Sequence, residues 1–305
     1  MNLLIQQLKK LLLVVIASSF ITGCNGSSDT PSTFFEGIRE AASNNDPSAV
    51  WDTIPSSMQN DIDSIAQDYG NRLPEKFYDS VWTLVRRLSS LLENKREFIM
   101  NTPVLQMGFL QATEEEKAQF IATYDYIVPA INKLGSSQIG SVNGLKTFNT
   151  SKFIAINGSQ LMDAVISLAH VVASQDQDAS AGLQVWQSLS SLQVTTVSEN
   201  GDNAIVETSI DLPLLFTQRG VDGTEKVTMK KVDGKWIPLD LHLGFKAAIA
   251  EAKANLATTD FSIGGKEMMG MSMIAAMADV ALGPLEASST QAEFDNAIQQ
   301  LSNMF

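Results

Sequence analysis

The hydrophobic pattern of this chain changes period near Leu192, from helical spacing to strand spacing, and that change restricts it to folds that combine helices with a sheet. Upstream, the clearest stripe places Phe77, Val81, Leu84, Val85, Leu88, Leu91 and Leu92 three or four residues apart, with Arg86, Arg87 and Glu93 off it. That spacing predicts a helix over residues 77–92 with one buried face. Downstream, residues 192–198, 204–212, 225–232 and 235–239 are short runs rich in Val, Ile and Thr with turn residues between them, which predicts an antiparallel meander. Its strongest turn signal is Lys231-Val232-Asp233-Gly234-Lys235-Trp236. Asp-Gly tolerates the positive φ that a two-residue type I′ turn requires at both central positions. Residues 199–203 give an earlier, looser turn.

Other helices follow from stripes and caps. Phe34, Phe35, Ile38 and Ala42 share one face, and the run Asn44-Asn45-Asp46-Pro47 ends it, with Asp46 suited to cap and Pro47 to open a short helix carrying Val50, Trp51 and Ile54. Thr113-Glu114-Glu115-Glu116 is a capping-box pattern, and Phe120, Ile121, Tyr124, Ile127 and Ile131 are expected to form the buried face of the helix it starts. The breaker-rich residues 135–144 read as a loop or a domain boundary. Leu161, Val165, Leu168 and Val172 mark a further amphipathic helix. Near the C-terminus, Phe245, Ile249 and Leu256 mark one helix; Phe294, Ile298 and Leu301 mark another, with a Thr290–Glu293 capping box. Between them Met268, Met269, Met271, Met273 and Met277 sit in a Gly- and Ala-rich run too short and interrupted to span a bilayer. They read as core packing, because a soft-metal site would want nearby histidines or a regular Met spacing.

The first two dozen residues carry an address. Lys9 and Lys10 precede the apolar residues 11–20, and small residues stand before Cys24, the only cysteine of the chain. Ile21-Thr22-Gly23-Cys24 resembles the cleavage box of bacterial lipoproteins, which implies removal of residues 1–23 and diacylation of the Cys24 thiol. Two acyl chains hold a protein stably to a membrane where one holds it only transiently. Residues 24–33 are polar and breaker-rich and are expected to be a flexible tether. Asn25 is not the aspartate that resembles an inner-membrane retention signal, so an outer-membrane address with a periplasmic face is expected if the host has an outer membrane.

Charge and cysteine content narrow the remainder. The chain of 305 residues is 44% hydrophobic and 18% charged, enough to bury a core. Its net charge of −13 becomes −15 when Lys9 and Lys10 leave with the signal, which argues against a nucleic-acid partner. With Cys24 committed to lipid, no disulfide is available, and packing alone must hold the exported body.

The opening helices around Phe34, Phe35, Asp46 and Pro47, taken with Gly201-Asp202-Asn203-Ala204-Ile205-Val206 and Val232-Asp233-Gly234-Lys235-Trp236, resemble an NTF2-like domain. The resemblance implies a curved sheet wrapped around helices, an apolar cavity, and a binding or accessory role without catalytic residues. The helix-rich stretch of residues 55–180 exceeds what that compact fold uses, so an insertion could fill the cavity. The expected organisation is therefore an α+β body over residues 34–256, with helices over 34–190 and the meander over 192–241, and a C-terminal helical segment, 257–305, packed on it.

Catalytic motifs are largely absent from the sequence. It has no glycine-rich phosphate loop, H-E-x-x-H or C-x-x-C, and Gly270-Met271-Ser272-Met273-Ile274 lacks the last glycine of a nucleophile elbow. His170 and His242 are the only histidines, so a zinc site would need carboxylates such as Asp163 or Asp240. His242, just after the last strand, is the better acid or base, with Asp240 its nearest carboxylate in sequence. Asp61, Asp63 and Asp68, or Asp176 and Asp178, lack the glycine and terminal glutamate of a calcium loop and read as solvent-facing or capping groups. No cofactor or metal is implied. Three roles follow: a non-catalytic module binding an apolar small molecule or an envelope protein; a cavity hydrolase or isomerase using His242 and Asp240; or an envelope assembly partner, which requires large apolar patches on its surface.

Overall fold

The computed structural model describes residues 29–173, 183–184, 186–209, 225–262 and 264–303. Residues 1–28, including the expected signal and Cys24, together with Asp176, Asp178 and the end of the run 204–212, lie outside them. The described chain is α+β: helices stand before and after an antiparallel four-stranded sheet. In order the elements are α1 (Thr33–Asn44), α2 (Ser48–Trp51), α3 (Ser56–Arg72), α4 (Glu75–Asn94), α5 (Arg96–Met100), α6 (Pro103–Gln111), α7 (Glu114–Ser136), a 3-10 turn (Gln138–Gly140), α8 (Val142–Lys146) and α9 (Thr150–Ala173). There follow β1 (Val194–Asn200), β2 (Asn203–Thr208), β3 (Glu225–Val232), β4 (Lys235–Pro238), α10 (Leu239–Thr258), α11 (Gly265–Ala287) and α12 (Gln291–Ser302). The described residues form two compact units, one from residues 29–66 and 149–258 and the other from residues 67–148 and 259–303. The C-terminal segment thus joins the middle of the chain, whereas the sequence suggested one continuous body ending near residue 256.

The first unit holds the sheet, in the order β1-β2-β3-β4 with every pair antiparallel. Along β2, Ala204, Val206 and Thr208 are buried and alternate with exposed or half-buried neighbours, the period-2 signature of a one-sided sheet. The β3–β4 turn is as expected, with Asp233 at φ 50° and Gly234 at φ 82°. The earlier turn uses Gly201 at φ 60°, and the β1–β2 register shifts between Thr196 and Ser198.

Helix termini in this unit are fixed by side chains. Asn45 closes α1 at φ 50°, and the Asp46 carboxylate accepts the Ser48 N–H at 2.7 Å to open α2. Asp63 receives the Thr150 N–H at 2.7 Å and caps α9 from α3, while Trp51 Nε1 donates to Ser151 Oγ at 2.7 Å. α1 and α2 approach so closely that a Cβ on Gly37 would lie 2.5 Å from the Ala49 carbonyl oxygen. Gly37→Ala is therefore expected to destabilise this unit by about 1–3 kcal/mol through overpacking against backbone, read as a lower urea midpoint.

The tether is shorter than the sequence suggested. Asp29 Oδ2 accepts the Trp236 N–H at 2.8 Å, Pro31 is buried, and Thr33 N–H donates to the Thr30 carbonyl at 3.0 Å, so residues 29–33 belong to the fold. The stripe expected on α9 is also displaced: Phe153, Ile154 and Met162 are buried, whereas Val165 and Leu168 are exposed. The side chain of Val172 lies outside the described residues.

The second unit packs α4 against α7 and α11. Leu91, Leu285, Phe294 and Ala297 form a buried cluster, closed by Phe98, Ile99, Leu282 and Ile298. Residues 135–144 are a tight corner inside this unit rather than a boundary. Arg86 Nη1 donates to the Gly135 and Gly140 carbonyls at 2.9 Å each, and Tyr78 Oη donates to the Ile139 carbonyl at 2.6 Å. A Cβ on Gly140 would lie 2.0 Å from the Gly135 carbonyl oxygen, which explains the glycine there. Both capping boxes form, at Thr113–Glu116 and Thr290–Glu293. On α7 the buried residues are Val128, Ala130 and Gly135, while Phe120 and Ile131, expected in the core, are exposed.

Candidate functional site

The β4–α10 junction carries the strongest sequence candidate, His242, at the end of the first turn of the helix that follows the last strand. Its side chain is 8% exposed, and Nδ1 has no hydrogen-bond partner among the described residues. Burial, followed by the charge of Lys246, pushes the imidazole below its ordinary pKa, with Asp233 pulling the other way. Asp240, proposed as its carboxylate, is exposed and offset from it by two positions along the helix. The carboxylate that acts on His242 is Asp233 instead, and its Oδ2 is occupied by the Ser57 N–H at 2.7 Å and the Ser56 hydroxyl at 3.3 Å. Sequence proximity pointed to Asp240; the hairpin brings in Asp233 from nine residues upstream.

A neutral buried imidazole has a thermodynamic consequence. Because the folded pKa lies below the ordinary 6.5, the unfolded chain takes up the proton first, so the associated stability is complete above that value and is lost as pH falls through it. The loss is at most about 1.4 kcal/mol per pH unit for one group. Between about pH 7.5 and about 5.5 the wild-type urea midpoint is expected to fall more steeply than that of His242→Leu. Equal slopes would contradict this assignment.

The other titratable candidates do not converge. His170 is exposed in the last turn of α9. Asp163 has its pKa raised by burial, against a lowering hydrogen bond with Asn45. Asp61 pairs with Lys253 at 2.8 Å, Asp68 pairs with Arg72 at 3.2 Å, and Asp63 serves as the α9 cap. Among the described residues no group of three or more His, Cys, Asp or Glu is placed to hold a metal ion.

Two open clefts mark the second unit. One, of about 290 Å³, is lined by Arg87, Ser90, Leu91, Asn94, Lys95 and Glu286; the other, of about 260 Å³, by Glu93, Arg96, Tyr124, Asp125, Val128 and Pro129. Their charges are largely satisfied internally. Arg87 grips Glu286 through Nε at 2.5 Å and Nη2 at 2.8 Å and also contacts Asp279, while Arg96 grips Asp125 in the same forked way. Glu286 is held below its ordinary pKa by Arg87, as expected of a carboxylate locked in a structural pair.

The feature that stands out from this background is α11. Its C-terminal half is fixed by Leu282 and Leu285 in the buried cluster and by Arg87 on Asp279 and Glu286. Its preceding turns present Met269 (67% exposed), Met273 (61%), Met277 (52%) and Val280 (58%) at spacings of four, four and three, with exposed Ile274 beside them. These residues share one helix face. The core role expected for the methionines is therefore overturned at Met269, Met273 and Met277; the side chains of Met268 and Met271 lie outside the described residues. The unit also exposes Val104, Met107 and Leu110 along α6. Flexible thioethers on an accessible helix suit adaptable contact with another protein. Methionine spacing alone does not separate core from surface, because apolar residues cover most of the circumference of α11. What decides is which half of the helix Arg87 and the Leu91 cluster engage.

Among the described residues no helix is long and apolar enough to cross a membrane. No protein-family model matches the chain, and no curated protein or solved structure matches it.

Proposed function

We propose that this chain is an exported envelope lipoprotein, anchored through acylated Cys24, that works as a non-catalytic accessory module and offers the apolar face of α11 to a protein partner. The observation that carries the docking role is the run of exposed Met269, Met273, Met277 and Val280 on a helix whose other end is firmly packed. The lipobox supports the address, with an outer-membrane, periplasm-facing location where the host has such a membrane. The NTF2-like resemblance contributes the accessory role common to exported domains of that type. A hydrolase or isomerase centred on His242 has less support, since Asp240 is exposed and the Asp233 carboxylate is engaged by Ser56 and Ser57.

Native mass spectrometry of the body, residues 25–305, tests the choice between a protein partner and a small ligand. The expected result is the bare chain mass. A discrete co-purified small molecule, released on denaturation, would overturn the docking role in favour of an occupied cavity.

A further inference from the structure

The clasp at Asp29 limits which part of the first unit can face the membrane. Asp29 Oδ2 takes the Trp236 N–H at 2.8 Å on β4, the end strand of the sheet. Only five residue steps separate Cys24 from Asp29, so whatever path residues 25–28 take, the anchored residue lies at most roughly 18 Å from the clasp. The β3–β4 hairpin is part of that neighbourhood.

The same hairpin departs from the charge of the chain. Acidic residues outnumber basic ones by 34 to 21 overall, yet the ten residues 226–235 hold four lysines and a single acid, Asp233. The Asp233 carboxylate is turned onto Ser57 N–H and Ser56, and Asp29 is engaged by Trp236. Lys226 has Glu207 directly opposite in the register. That leaves Lys230, Lys231 and Lys235, none of which joins an ion pair among the described residues, although the Asp29 carboxylate acts on Lys231 and Lys235 from a distance. Lys235 stands opposite Val232 and so shares a face with Lys230, while Lys231 lies on the other face with Trp236. Lys231 Nζ lies 5.3 Å from the centre of the Trp236 ring. Lysine stems can lie along apolar surface while their ammonium groups reach outward.

We propose that the β3–β4 hairpin is the surface the first unit turns to the bilayer, with Lys230 and Lys235 set against phospholipid phosphates. The inference rests on the acyl anchor at Cys24. An anionic headgroup layer repels most of this acidic body and attracts these two ammonium groups, and the short link holds them within range of it.

The test uses the full acylated chain carrying Val232→Cys. Cys24 is its only native cysteine, so acylation leaves the new thiol as the single site for a dye. The protein is floated on phosphatidylcholine vesicles, with and without phosphatidylglycerol, that contain a headgroup-labelled acceptor. Energy transfer is expected on both and is expected to rise with the anionic lipid. Lys230→Gln with Lys235→Gln is expected to remove at least about half of that rise, and added salt to suppress it, because the attraction is screened within about 10 Å. A chain that floats but whose transfer ignores the anionic lipid, or is unchanged by the double substitution, overturns the hairpin assignment alone. A chain that does not float at all overturns the anchor and the hairpin assignment with it.

Discussion

Cys24→Ala is expected to abolish incorporation of labelled palmitate completely and to release the body from the membrane fraction. On the proposed lipobox reading the thiol is the atom that carries the lipid, and no second cysteine exists to replace it. Each buried methylene contributes about 0.8 kcal/mol, so the two chains proposed for Cys24 would give an anchor that residues 25–28 could not replace. Among the described residues no helix could take over by crossing the bilayer. Retained label in Cys24→Ala would contradict the assignment of the lipobox.

Replacing Met273 and Met277 together by Glu is expected to weaken capture of the partner by about 100-fold or more, since each methionine side chain removed from water is worth roughly 1.5–3 kcal/mol. Stability should stay within about 0.5 kcal/mol of wild type, because both side chains face solvent in the isolated chain. Measuring the two quantities side by side separates the alternatives. Lost capture with an unchanged urea midpoint supports a docking face, whereas a large fall in the midpoint would return these methionines to the core.

Local signals in the sequence were strong where chemistry is local. The Asp233-Gly234 turn, the two capping boxes and the Asn45–Asp46 break are each dictated by residues within a few positions of one another, and each forms as expected. The α+β class follows from the same short-range periods. On α7 and α9, apolar residues surround much of the helix, so the stripe alone did not select Val128 over Phe120 or Met162 over Val165. The division into two units depends on Leu285 and Phe294 meeting Leu91 about two hundred residues away in sequence, a pairing that no local pattern encodes. His242 was found because histidines are few, but its charged neighbour Asp233 was not, since only the folded hairpin brings them together.

The most direct measurement is photocrosslinking in intact cells from a reactive residue placed at Met273 of the acylated chain, with Ser136, another exposed position of the second unit, as control. The account predicts one discrete crosslinked species from position 273, absent from position 136 and lost when Met277→Glu is added. No species from position 273, or the same pattern from both positions, would contradict it.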